Sequence, residues 1–227
     1  MVMPYFHFKK ILSTDYLTIE TLPSIVRASK DIKKIEIEGR DGFITEDLGS
    51  YKSTIKSVEC WIRNLEDLDF ICSWLTGSGD IIFSNEPDKA YEVTIINQIE
   101  FKKFIKEFHK FIIVFECQPK KKNIDNPIIT LTSVGTIFNS GSAISRPIIK
   151  LFGTGSITLI INDINIYLNN ISGYVTLDSN LQDAFKDLVY KNSDMNGEFP
   201  ILEVGTNTIS WVGTVTKVEI TPNLRWL

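Results

Sequence analysis

The sequence predicts a mainly β chain, all-β with one helix, and three observations carry that reading. Residues 32–38 and 54–62 alternate apolar and polar side chains, the period of a half-buried strand. After residue 125 short apolar runs recur between turns rich in Asn, Gly, Ser and Thr. One stretch, 65–75, repeats its apolar residues at helical spacing.

The elements follow in order. Phe6, His7 and Phe8 read as a strand. In 32–38, Ile35 and Ile37 face one way and Glu36 and Glu38 the other, and Gly39-Arg40-Asp41-Gly42 then turns the chain. Residues 54–62 alternate through Ile55, Val58, Cys60 and Ile62, with one slip that reads as a bulge. Asn64 is placed to cap the helix, and Glu66 and Asp67 complement its dipole. Leu65, Leu68, Ile71, Cys72 and Leu75 form its apolar face, and Gly77-Ser78-Gly79 ends it. A strand over 80–84 and a turn at Asn85-Glu86-Pro87-Asp88 come next. Residues 91–118 fit a long hairpin turning near Lys106-Glu107, favoured over an amphipathic helix by the β-branched flanks.

The chain changes character near residue 120. Residues 1–124 hold 18 basic and 19 acidic side chains, residues 125–227 only 6 and 9. Between them Pro119-Lys120-Lys121-Lys122-Asn123-Ile124-Asp125-Asn126-Pro127 reads as a linker, a solvated basic hinge bracketed by prolines. Two domains are expected, 1–122 and 123–227. In the second, strands are expected at 128–132, 147–152, 156–161, 164–168, 173–177, 201–204, 208–211 and 215–220. The turns between them are Gly153-Thr154-Gly155, Asn162-Asp163, Asn169-Asn170 and Gly205-Thr206-Asn207. That spacing indicates an antiparallel sandwich or barrel. Residues 181–196 read as a polar stretch with a helical turn.

Composition narrows the function. A chain of 227 residues that is 43% apolar and 23% charged is neither disordered nor a disulfide mini-scaffold. Its net charge of −4 argues against specific nucleic-acid binding by a basic surface. No run approaches the roughly 18–20 apolar residues of a membrane span, so no membrane insertion is expected. The first ten residues lack the pattern of a secretory leader. Cys60, Cys72 and Cys117 are expected to be reduced, buried thiols of a cytosolically made chain.

No pattern calls for catalysis. The two histidines, His7 and His109, are far apart and read as ordinary strand residues. No Gly-x-Ser-x-Gly elbow, HExxH helix or phosphate loop is present. Asp41, Glu46 and Asp47 do not match calcium-loop spacing, and no carboxylates among Glu66, Asp67, Asp69, Asp163, Asp178, Asp183 and Asp187 are pinned as a pair. No enzyme activity, cofactor or metal is expected.

An ordered set of blocks now carries a resemblance. It begins with Phe6-x-Phe8, then Ile35-Glu36-Ile37-Glu38-Gly39-Arg40-Asp41-Gly42. Trp74-Leu75, Asp80-Ile81-Ile82-Phe83-Ser84, Glu86-Pro87, Tyr91 and Phe115-Glu116-Cys117-Gln118-Pro119 follow. The second part adds Ser145-Arg146-Pro147-Ile148-Ile149, Gly153-Thr154-Gly155 and Tyr174-Val175-Thr176-Leu177-Asp178-Ser179. The block from Gly197 to Ile209 closes the set. Together they resemble the distal tail protein (Dit) family of tailed phages, the siphovirus-type tail component, over nearly the whole chain.

The resemblance implies an N-terminal β-sandwich-like ring domain with one helix and a protruding hairpin, and a C-terminal galectin-like or carbohydrate-module-like β-sandwich. It implies a virion protein made in the bacterial host cytoplasm and placed at the tail tip. There six copies would form a homo-hexamer joining the tail tube protein to a tail-associated lysin, tail fibre or tip protein, with DNA passing through the lumen. The tape measure and a receptor-binding protein are further candidate partners. Subunit or tube contacts are expected at the 91–118 hairpin, through Phe101, Phe104 and Phe108, and at the loop 39–51. Arg40 and Asp41 would pair either across that contact or within their own turn. The alternative is a carbohydrate-binding module for host cell-wall polysaccharide, with Tyr167, Tyr174 and Trp211 as candidate glycan contacts. No long insertion resembling a host-binding arm is present in the second part.

Overall fold

The computed structural model describes residues 3–105 and 108–227, and side chains outside 102–108. It is mainly β, and among the described residues the only α-helix has seven residues. The chain divides into two compact units, Met1–Lys121 with Leu227, and Lys122–Trp226.

The first unit holds β1 (Phe6–Phe8), β2 (Ile11–Leu12), β3 (Leu17–Thr21), β4 (Lys30–Glu36), β5 (Phe43–Tyr51), β6 (Thr54–Ile62), α1 (Leu68–Trp74), β7 (Ser78–Phe83), β8 (Lys89–Ile95), β9 (Lys102–Ile105) and β10 (Phe108–Cys117). Seven strands run in the order β2-β1-β7-β8-β10-β6-β3, with β9 added on β10. Every pairing given for these strands is antiparallel. Alternation does what the sequence leads one to expect. Val58 and Cys60 on β6 lie beside Ile113 and Phe111 on the neighbouring β10, and with Ile62 and Phe115 they line one core. Phe6 on β1 and Phe115 on β10 lie three strands apart, about 14 Å in a flat sheet. Their ring centroids are 6.1 Å apart, so the sheet curls around its own core.

Asn64 caps the helical segment as expected, its side-chain oxygen accepting from the Glu66 amide at 3.2 Å. The first turn is 3-10, Leu65–Asp67, and α1 follows. The buried face differs from the expected one. Ile71, Trp74 and Leu75 are buried, whereas Leu65 and Cys72 are exposed. Trp74 wins the inward position because its indole N–H reaches the Phe8 carbonyl (2.9 Å) and its rings pack on Phe6 and Phe8. Cys60 and Cys117 are buried and free, and burial pushes the Cys117 thiol up to about 11.

The 91–118 region forms strands, but its apolar side turns inward. β8 pairs with β10 in the body of the sheet, and Phe111, Ile113, Phe115 and Cys117 are core residues. The Lys106-Glu107 turn lies outside the described residues.

The basic run expected as a solvated hinge is instead partly strand, β11 (Lys121–Asn123), and Lys121 is buried and paired with Glu86 (2.8 Å). The second unit holds β12 (Ile129–Leu131), β13 (Gly135–Asn139), β14 (Ile148–Ile161), β15 (Ile164–Asp178), β16 (Asp183–Lys186), β17 (Val189–Tyr190), β18 (Met195–Asn196), β19 (Gly205–Thr221) and β20 (Arg225–Trp226). Its sheet runs β12-β19-β14-β15-β16-β17, with β13 on β19 and β18 on β15. Three strands of 14, 15 and 17 residues replace six of the expected short ones. The expected turns at Gly153-Thr154-Gly155 and Asn169-Asn170 are therefore bends within β14 and β15, not reversals. Glycine is needed there because the strands cross closely. A Cβ on Gly153 would lie 2.3 Å from the Thr214 carbonyl oxygen, and one on Gly213 2.7 Å from that of Ser156. Asn162-Asp163 does reverse the chain, with φ of 48° and 68°, both left-handed. Residues 181–196 hold the β16–β17 hairpin, a 3-10 turn at Asn192–Asp194 and β18. Residues 201–204 form no strand; Leu202 makes one isolated bridge to Ser145.

Candidate functional site: an outstanding ribbon

β4 and β5 form a two-stranded sheet of their own. They come from the segment expected to be a strand, a turn and then a loop over 39–51; the loop is instead mostly strand. Ile35 lies opposite Ile44, Lys33 opposite Glu46, Lys34 opposite Thr45 and Glu36 opposite Phe43. One face therefore carries Ile35, Ile37 and Ile44, and the other Ile32, Lys34 and Phe43. A bulge between Lys30 and Ile32 follows from the Asp47-Gly49 turn, where Gly49 has φ 74° and its amide donates to the Asp47 carboxylate (3.0 Å).

All six large apolar side chains of the ribbon are exposed, from 38% at Ile35 to 51% at Phe43. Its ordering comes from the ladder and from edge charges. Lys30 pairs with Asp47, Lys33 with Glu46 (3.8 Å) and Lys52 with Asp31 (3.5 Å). Lys34 lies 4.5 Å over the Phe43 ring. Hydrogen bonds from Lys30 and from the Gly49 amide hold the Asp47 carboxyl below its usual range. Isolated two-stranded ribbons are marginal in water, and contiguous exposed apolar area marks an interaction surface.

Arg40 and Asp41 stand at the ribbon tip, both exposed, beside an open depression they share with Glu36, Ile37, Glu38 and Phe43. The Arg40 amide donates to the Ile37 carbonyl (3.1 Å). Among the described residues no ion pair joins Arg40 to Asp41, so the turn does not consume their charges. Phe101 packs against the core and onto Phe111 at 4.8 Å. The side chains of Phe104 and Phe108 lie outside the described residues. Sequence reasoning named the tip but missed Ile32, Phe43, Ile44 and Leu48. The missed signal was alternation on both sides of Gly39–Gly42, hidden in 43–51 by two acids and a glycine.

The three glycan candidates do not meet. Trp211 lies opposite Leu159 and packs against the core of its unit. Tyr167 lies opposite Thr158, on the other face, and is exposed. Tyr174 is seven residues further along β15, beyond the bend. Lys150 covers the Tyr174 ring at 4.1 Å and its hydroxyl donates to Asp187, which pushes its pKa up. No shared aromatic platform results.

Among the described residues no group of three His, Cys, Asp or Glu is placed to hold a metal. No helix is long and apolar enough to cross a membrane.

Fold and surface together define a two-unit, mainly β chain that carries a separate two-stranded ribbon with exposed apolar side chains on both faces. That architecture matches a solved one from end to end. The crystal structure of the SPP1 Dit (gp 19.1) protein, described as a paradigm of the hub adsorption apparatus in phages infecting Gram-positive bacteria, is similar with a TM-score of 0.79. The match covers 100% of both chains at 16% sequence identity. The chain has the Dit fold. No family model and no curated protein matches the sequence.

Proposed function

We propose that this chain is a distal tail protein, a structural hub at the tail tip of a tailed phage or phage-tail-like particle. The observation that carries the reading is the end-to-end likeness to a hub protein of an adsorption apparatus. Six copies close into a ring, and the β4–β5 ribbon lays its Ile35–Ile44 face on the neighbouring copy. A closed ring covers an apolar surface that a single chain leaves wet. Arg40 and Asp41, unpaired within the turn, meet opposite charges across the same contact. The first unit forms the ring and contacts the tail tube protein; the second, a galectin-like sandwich, faces outward to the lysin, fibre or tip protein. The hub performs no chemistry of its own. Its lumen is neutral or acidic, in line with the chain's net charge of −4, so that passing DNA does not adhere.

The test is immunogold electron microscopy of tailed particles from cells that encode the chain, using antibody raised against it. Label is expected at the tail end distal to the capsid. Label along the tube, on the capsid or absent from assembled tails would overturn the proposal.

A further inference from the structure

The ribbon joins its unit by two unequal rails. β5 reaches β6 through two residues, Lys52 and Ser53. β3 reaches β4 through eight residues, 22–29, which belong to no helix or strand. The short rail is tied by Ser53, whose hydroxyl donates to Glu116 (2.7 Å). The long rail buries Pro23 and Ala28, its Ser29 carbonyl accepts from the Lys52 amide of the short rail (2.9 Å), and two side chains of the body reach it. Lys56 Nζ donates to the Ser24 carbonyl (2.8 Å), and the Asn85 side-chain amide donates to the Pro23 carbonyl (2.9 Å).

Lys56 is an odd residue to find here. It is 3% exposed, on the inward face of β6, in line with Val58, Cys60 and Ile62. Its ammonium lies 4.8 Å over the Tyr91 ring and 5.9 Å over the Phe83 ring. Among the described residues no carboxylate comes within ion-pair distance of it. Glu86, the acid nearby, is engaged by Lys121 (2.8 Å) and by the Tyr91 hydroxyl. Burial, opposed by the charges of Cys117 and Glu86 and aided by Lys121, lowers the Lys56 pKa. A methionine would fill this site without the desolvation cost of an ammonium. What the ammonium adds is its bond to Ser24.

We infer that Lys56 is a positioning residue, a cross-brace that ties the long rail of the ribbon to β6 just beyond the short one and sets the angle at which the ribbon leaves its unit. The sequence places the brace three residues after the short rail, so one side chain links the two attachments. Without it the ribbon swings about Lys52 and Ser53. The inference rests on the ribbon being the contact arm of the proposed ring, because only then does its angle matter for assembly.

Segment-resolved hydrogen exchange on the full chain, with solution mass measured in parallel, tests it. Lys56→Met keeps the apolar stem and removes the donor. Exchange across 22–51 should rise about tenfold, while 58–62 and 111–117 keep their protection. Lys56→Arg, which keeps a buried cation and its donors, should restore most of the protection. Should Lys56→Met not fold, Asn85→Ala removes the second tie and should give a smaller rise confined to 22–51. Unchanged exchange in 22–51, or equal acceleration in the ribbon and in 111–117, would overturn the brace. Loss of the ribbon's protection without any wild-type oligomer would uphold the brace and count against the ring.

Discussion

Two antiparallel hairpins of this chain, both built from alternating residues, meet opposite fates. β14 and β15 pair along their whole length, and Leu151, Leu159, Val175 and Leu177 are sealed at 1% exposure or less. β4 and β5 pair just as regularly, yet Ile35 and Ile44 are 38% and 41% exposed. Alternation encodes a strand with an apolar face. It does not encode what covers that face. In β14–β15 the cover is the rest of the same unit; in β4–β5 nothing described of this chain serves, and a neighbouring molecule takes that role in the hub reading.

Truncation is the strongest way to press the difference. Phe115→Ala should cost about 3–5 kcal/mol in urea unfolding, because Phe115 is fully buried against Phe6, Phe8 and Phe83. Ile44→Ala should change the stability of the isolated chain by less than about 0.5 kcal/mol. Equal losses would mean that the ribbon is part of the core. Gly213→Ala comes next, with about 1–3 kcal/mol expected in the same assay, since the added methyl meets the Ser156 carbonyl at 2.7 Å. A neutral result would break the account of the bends.

Assembly measurements sharpen the other half. Arg40→Glu should weaken association of the copies about tenfold by sedimentation, and adding Asp41→Arg should recover part of it. Association indifferent to both single reversals would remove the tip from the contact. The smallest effect concerns pH. Asp47 has its folded pKa below the ordinary 3.8, so its support of the ribbon is present above that value. It fades as pH falls through the lower folded value. Exchange in 30–51, corrected for intrinsic rate, should therefore rise modestly below pH 4 in the wild type and not in Asp47→Asn.

Strands, the helix cap at Asn64 and the reversal at Asn162-Asp163 were legible in the residues because each rests on local chemistry. The long strands were not, since glycine and asparagine mark a bend in a continuing strand as readily as a reversal. Whether Gly153 bends or ends a strand is decided by Thr214, some sixty residues away. The inward turn of Trp74 in place of Cys72 likewise depends on the Phe8 carbonyl, a partner distant in sequence. The candidate site was half visible. Gly39–Gly42 announced a turn, but only the register of Ile35 with Ile44 reveals an uncovered face on either side of it.

The measurement that bears most directly on the central claim is the solution mass of the purified chain beside that of Ile44→Asp. The account predicts six copies for the wild type, and a single copy of unchanged melting temperature for the variant. A wild type that stays single at every concentration, or a variant that assembles as the wild type does, would contradict the claim that this ribbon is the arm by which the copies join.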